Sequence, residues 1–204
     1  MVRWLGLVAV AYLLGAFPTG ALVARGYGVD LTRHGSRRTG ATNALRVLGK
    51  RAAIGTLLGD ALKGAAAVLL ARRWVQSDWA PPAAALLAMV GHTYSVFLGG
   101  KGGRGVATGL GGLLALSPGA LVVAAAAGVA AIAATRFVSL GSLVGALAGA
   151  GALAVQSARG RAPRPYWLFA AGGAGFLTYS HRDNVARLLA GTERRLGQPA
   201  EAGR

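Results

Sequence analysis

Predominantly apolar stretches recur along the whole chain, near residues 3–24, 52–71, 79–98, 105–117, 119–135, 138–156 and 165–180, divided by short basic or glycine-rich segments. A hydrocarbon core needs about 20 apolar residues per helical crossing. The pattern therefore predicts an all-α integral membrane protein with about seven transmembrane helices in a single domain, residues 1–204. The fourth stretch, 105–117, is short and suits a partial helix packed within protein. Pro18 and Gly20 predict a kink in the first, tolerable where neighbours satisfy the freed backbone groups. Gly141, Gly145 and Gly149, like Gly55 and Gly59, repeat every four residues, the spacing of close helix–helix packing. The N-terminal run continues through "PTGALVA" without a small-x-small cleavage site, so it is read as a retained helix and not a signal peptide.

Charge narrows the class further. Only 14% of residues are charged, against about 25% in a soluble domain, and mean hydropathy is +0.50. Yet net charge is +16, from 22 Lys plus Arg against 6 Asp plus Glu. The cations sit in short clusters between apolar runs and form no continuous face, which argues against nucleic acid. A lipid bilayer with anionic headgroups and a phosphorylated substrate account for them better. There are 0 cysteines, so disulfides and thiolate chemistry are excluded. With the N-terminus outside, the segments beginning at Arg25, Lys101, Arg136 and Arg182 hold fifteen cations inside, Arg204 included, and six remain outside. The positive-inside bias predicts N-out, C-in. Trp4, Trp74, Trp79 and Trp167 then lie near the outer interface, where aromatic anchors belong.

Three inner segments carry the chemistry: "RHGSRRTGATNALRVLGKR", "GGKGGRG" and "SHRDNVARLLAGTERR", with the turn "TRFVSLGS" on the same side. Gly100, Gly102 and Gly105 match G-x-G-x-x-G, but no strand precedes them and the next acidic residue is Asp183, so a dinucleotide turn is excluded. Glycines, small hydroxyls, Asn and Arg are instead the materials of a phosphate site. Glycine N–H groups and a helix starting near Val106 would face an anion, with Lys101 and Arg104 supplying charge. Asp60 and Lys63 in "GDALKG" form an ionisable pair inside the second span, a functional candidate by location. His92 lies toward the inner end of the third span, and His181 opens the tail, where it could orient substrate or move a proton. No His/Asp/Glu cluster has metal spacing, so neither metal nor cofactor is expected.

The pieces "GAFPTG", "GSRRTGATNALRVLGK", "GDALKG", "GHTYSVFLGGKGGRGVAT", "SLGS" and "HRDNVARLLAGTERR" run in order over nearly the whole chain. Together they resemble the bacterial acyl-phosphate:glycerol-3-phosphate acyltransferase family. The resemblance implies a seven-helix enzyme of the bacterial inner membrane with its site facing the cytoplasm. It implies transfer of a fatty acyl group from acyl-phosphate to the 1-hydroxyl of glycerol-3-phosphate, giving lysophosphatidic acid, with an acyl-phosphate-producing enzyme as the supplying partner. By matching position it implies catalytic roles for Ser36, Arg46, Lys101, His181 and Asn184. It implies substrate contacts from Thr42, Asn43, Gly102, Gly103, Gly105, Ser142, Arg187 and Glu193, to which Arg104, Asp60, Lys63 and His92 are added as candidates. One departure stands out: Arg37 and Arg38 replace the Gly-Asn pair usual after the motif serine. A transporter for a phosphorylated anion would also use broken helices and an intramembrane pair. Against it, no internal repeat is evident and the motifs concentrate on one side. A lipid-binding scaffold leaves the three dense motifs unexplained.

Overall fold

The computed structural model describes residues 1–198; Arg204, counted among the inner cations, lies outside them. The described residues form ten α-helices and two short 3₁₀ turns, with no strand among them. The first apolar stretch is split into α1 (Val2–Ala16) and α2 (Thr19–Arg25). Pro18 lacks an N–H and ends the helical ladder there. Unpaired carbonyls are costly in hydrocarbon, and two neighbours take them up. Ser95 Oγ donates to Ala16 O at 2.6 Å, and Lys63 Nζ donates to Phe17 O at 2.9 Å.

The amphipathic α3 (Ala41–Leu48) leads through Gly49 into the long α4 (Lys50–Trp74). Then come α5 (Ala80–Thr93), α6 (Val106–Leu116), α7 (Pro118–Thr135), α8 (Val138–Ala158), α9 (Trp167–Ser180) and α10 (Arg182–Leu189). Among the described residues, five segments are long and apolar enough to cross a membrane: Val2–Arg25, Lys50–Trp74, Ala80–Leu98, Pro118–Thr135 and Val138–Ala158. The other two stretches form α6, of 11 residues, and α9, of 14. Both fall short of about 20 residues. Protein neighbours compensate for α6. A Cβ on Gly111 would strike the Ala61 carbonyl, and one on Gly64 the Thr108 carbonyl, so α4 and α6 meet backbone to backbone.

Small residues set the other close crossings. A Cβ on Gly141 would meet the Gly128 carbonyl at 2.6 Å, and one on Gly145 the Ala124 carbonyl at 2.8 Å, packing α8 onto α7. Gly59 faces Thr19 of α2, whereas Gly55 has ordinary room beside Val23. Leu58, Leu62, Val122, Val129 and Leu147 stand exposed around the outside, the apolar belt lipid requires. Trp79 immediately precedes α5 and Trp167 begins α9, their rings 6.4 Å apart in a T-shaped pair. The opposite ends of these two helices, Thr93 and Ser180, run into the polar segments.

Candidate active site

At that end the basic and glycine-rich segments enclose a polar cavity of about 230 Å³. Ser36, Arg38, Thr42 and Arg46 border it from the α2–α3 loop and α3. Gly103, Arg104 and Gly105 enter from the loop before α6, and Ser139 and Ser142 from α8. His181, Asn184 and Glu193 close the tail side, with Asp60 and His92 also on the wall. The first turns of α3, α6, α8 and α10 all border this space, and no side chain caps any of them. Their N–H groups add positive potential to that of the arginines.

Asn43 borders the cavity but its polar atoms are spent within the protein. It is 2% exposed; Nδ2 donates to the carbonyls of Leu31 (3.3 Å), His34 (3.0 Å) and Arg38 (2.8 Å), and Oδ1 accepts from Ser36 N at 2.9 Å. It clamps the α2–α3 loop, which includes Arg37 in the left-handed region at φ 56°.

The glycine loop departs from the expected cradle. Gly99 and Gly100 turn left-handed, and the N–H groups of Gly100, Lys101, Gly102 and Gly103 donate to Ser95, Leu98, Thr93 and His92 carbonyls. Those four donors are therefore not aimed at a ligand. A Cβ on Gly102 would strike the His92 carbonyl, and one on Gly103 the His92 ring, so these glycines let the loop lie against His92. Lys101 is exposed and off the cavity wall, and Gly102 lies behind it. Arg104 is the cation turned inward, and its buried Nε has no partner. Burial, with Arg38 and Arg187 nearby, pushes its guanidinium down to about 10, still charged near neutrality.

Lys63 also lies off the wall. Its Nζ sits 2.9 Å from Asp60 Oδ1 and serves the α1–α2 break. Asp60, 1% exposed, lies 3.4 Å from His92 Nδ1. The sequence Lys63–Asp60–His92–Gly103 thus ties the broken helix to the glycine loop.

Glu193 organises the tail. Its Oε1 accepts from Ser139 Oγ and Asn184 Nδ2, each at 2.7 Å, and Oε2 from Arg187 Nε at 2.8 Å. Burial works to raise the Glu193 carboxyl, but these donors and the Arg187 charge hold it below the usual range. Arg187 is consequently turned to Glu193 and away from the cavity wall. Asn184 Oδ1 is buried without a partner, an acceptor suited to a hydroxyl. His181 is pushed down to about 4 by burial and the Arg104 and Arg38 charges, against the Leu177 carbonyl bond, so its ring is neutral. That carbonyl lies 2.9 Å from Nδ1 and can only accept, which puts the proton on Nδ1 and leaves the Nε2 lone pair free. Sequence reading missed Ser139 and did not place Arg38; the "SLGS" turn was the available signal for the serine.

Beside the polar cavity runs an apolar one of about 210 Å³ between α6, α7, α8 and α9, lined by Leu113, Ala124, Gly145 and Phe169 among others. The two share Val106, Ile132 and Ser142. Among the described residues no group of His, Asp and Glu is placed to hold a metal ion.

Residues 5–191 match the family model described as glycerol-3-phosphate acyltransferase. A glycerol-3-phosphate acyltransferase of Thermus thermophilus is 46% identical over 95% of each chain. One of Geobacter sulfurreducens is 43% identical over 96% of this chain and 98% of its own. The crystal structure of PlsY (YgiH), an integral membrane glycerol 3-phosphate acyltransferase, in its glycerol 3-phosphate form superposes with a TM-score of 0.87 at 36% identity, over 95% of both chains. Its lysphosphatidic acid form gives 0.86. A match over residues 5–191, together with 46% identity across 95% of each chain, means that the chain belongs to the glycerol-3-phosphate acyltransferase family.

Proposed function

We propose that the protein transfers a fatty acyl group from acyl-phosphate to the 1-hydroxyl of glycerol-3-phosphate, releasing lysophosphatidic acid and phosphate. The carrying observation is Arg104: a half-buried cation whose Nε is buried and unpartnered, facing a cavity bordered by Arg38, Arg46 and uncapped helix starts, next to an apolar slot. Such a site wants an anion attached to a lipid chain or meeting one. The glycerol 3-phosphate and lysphosphatidic acid forms of the neighbouring crystal structures support the same substrate and product.

An acyl phosphate is already activated, so no covalent acyl-enzyme is required. The hydroxyl oxygen attacks the carbonyl carbon, the C–O bond to phosphate breaks, and the hydroxyl proton ends on the departing phosphate. Atoms and charge balance without a cofactor. His181 Nε2 and Asn184 Oδ1 accept the hydroxyl hydrogen bond and aim the oxygen. With its pKa about 4, His181 is a weak base before substrate binds, so the proton leaves late, as the new bond forms. Arg46, Arg104 and the helix starts neutralise the two phosphates, which is catalysis by positioning and electrostatics. Ser36, Thr42 and Ser142 supply neutral hydroxyl contacts at the wall. The slot holds the acyl chain with its carbonyl near Val106, Ile132 and Ser142.

We place the protein in the bacterial inner membrane with seven spans, N-terminus outside and site facing the cytoplasm, on the cation asymmetry and the convergence of the basic segments at one end. An acyl-phosphate-producing enzyme would supply the donor. Purified protein in detergent, given glycerol-3-phosphate and palmitoyl-phosphate, should form lysophosphatidic acid. Absence of product with folded protein would refute the reading.

A further inference from the structure

Arg38 stands where the resemblance leads one to expect an asparagine, and the structure gives it a definite position. Arg37 is exposed, but Arg38 is half-buried and borders the polar cavity. Its backbone is held firmly: its carbonyl accepts from Asn43 Nδ2 at 2.8 Å, and α2 packs so closely on Thr39 that a Cβ on Gly20 would strike the Thr39 carbonyl. The preceding residue keeps a left-handed conformation uncommon outside glycine. Such an outlier persists where its surroundings over-determine it, and it often adjoins a functional group. The side chain therefore leaves a pre-organised base, which lowers the cost of engaging a ligand.

Its protein partner is loose. Asp183 Oδ2 lies 4.0 Å from Arg38 Nη2, and the same carboxylate is 4.0 Å from Arg182. The cation felt most strongly by Arg104 is Arg38 itself. Two guanidinium groups that repel each other across a cavity, one with a buried unpartnered Nε, are arranged for a doubly charged anion between them. Position identifies which anion. The apolar slot meets the polar cavity at Val106, Ile132 and Ser142, and no residue of the α2–α3 loop or α3 lines it. The acyl donor's carbonyl belongs at that junction, leaving Arg38 on the rim away from the lipid chain.

We propose that Arg38, with Arg104, grips the phosphate of glycerol-3-phosphate, exchanging its loose contact with Asp183 for the substrate. The inference rests on the acyl-transfer reading for the identity of the ligand. It makes Arg38 a binding residue particular to a chain that carries arginine here.

The test combines kinetics with direct binding. Arg38→Ala should raise KM for glycerol-3-phosphate about tenfold or more, the scale of a charge-assisted contact, with a much smaller change in KM for palmitoyl-phosphate. Arg38→Lys should fall between, because an ammonium keeps the charge and loses the fork. Asp183→Asn should lower KM for glycerol-3-phosphate, since Arg38 no longer has to leave a carboxylate. Calorimetric titration of glycerol-3-phosphate into detergent-solubilised wild type and Arg38→Ala reads the contact independently of turnover. Loss of affinity in the variant with an unchanged melting temperature supports the proposal, even if wild type fails to transfer acyl groups and the functional reading falls. Equal affinity, or a KM effect confined to palmitoyl-phosphate, overturns it. Should Arg38→Ala not fold, unchanged KM in both Arg38→Lys and Asp183→Asn would overturn it equally.

Discussion

Replacing Arg104 with alanine should cost activity without costing stability. Without substrate Arg104 is partly desolvated, its Nε has no partner, and repulsion from Arg38 and Arg187 outweighs the pull of Glu193 and Asp183. Removing such a cation costs the empty protein little and relieves the repulsion. A substrate phosphate reverses the balance, because a hydrogen bond to a charged group contributes about 1.5–3 kcal/mol. At about 1.4 kcal/mol per decade, kcat/KM for glycerol-3-phosphate should fall roughly 10- to 100-fold. The melting temperature without ligand should stay level or rise. Inorganic phosphate should stabilise wild type by mass action, about 2.7 kcal/mol at 100 times its Kd, and stabilise the variant much less. Lys101→Ala, exposed and off the cavity, is the control and should leave both readouts near wild type. Steady-state kinetics beside thermal melts with and without phosphate settle the matter. If Arg104→Ala lost stability and activity together, the residue would be structural. If Lys101→Ala had the larger kinetic effect, the inward cation would be misassigned.

Further outcomes follow from the same geometry. Asn43→Ala breaks the clamp on the Leu31, His34 and Arg38 carbonyls and should cost about 2–5 kcal/mol, read as a large fall in melting temperature. His181 has a folded pKa of about 4 against 6.5; the unfolded chain binds its proton first, so stability is lost as pH falls from 6.5 toward 4. His181→Gln should flatten melting temperature across the upper part of that window, above the range where carboxylates contribute. The purified enzyme should use palmitoyl-phosphate and not acyl-CoA, and equal turnover of the two would defeat the donor assignment. A cysteine at Arg161 should be labelled from outside intact cells and one at Gly197 should not; the reverse pattern would mean the parity of spans is wrong.

What was legible in the sequence is what depends on local pattern. Pro18 announced the break between α1 and α2, and the short apolar run before Ser117 announced a short α6. The three polar segments could be gathered to one side because helix parity carries them there. Finer contacts were not legible where they join distant residues. Nothing near Lys63 reveals that it serves the Phe17 carbonyl, or near Glu193 that Ser139 is its partner. Lys101 and Arg104 are three positions apart in a run of glycines. Which of them faces inward depends on left-handed turns at Gly99 and Gly100 and on carbonyls of residues 92–98. The glycines suggested a phosphate cradle by composition, whereas Gly102 and Gly103 are small because His92 lies against them.

In the proposed reaction the glycerol hydroxyl attacks the acyl carbonyl carbon and not the phosphorus of the donor. Glycerol-3-phosphate carrying ¹⁸O in its 1-hydroxyl tests this directly when mixed with palmitoyl-phosphate and the purified protein. Attack at carbon retains the label in the ester oxygen of lysophosphatidic acid and releases unlabelled inorganic phosphate in equal amount. Label in a new phosphate ester, with palmitate released as free acid, would contradict the account.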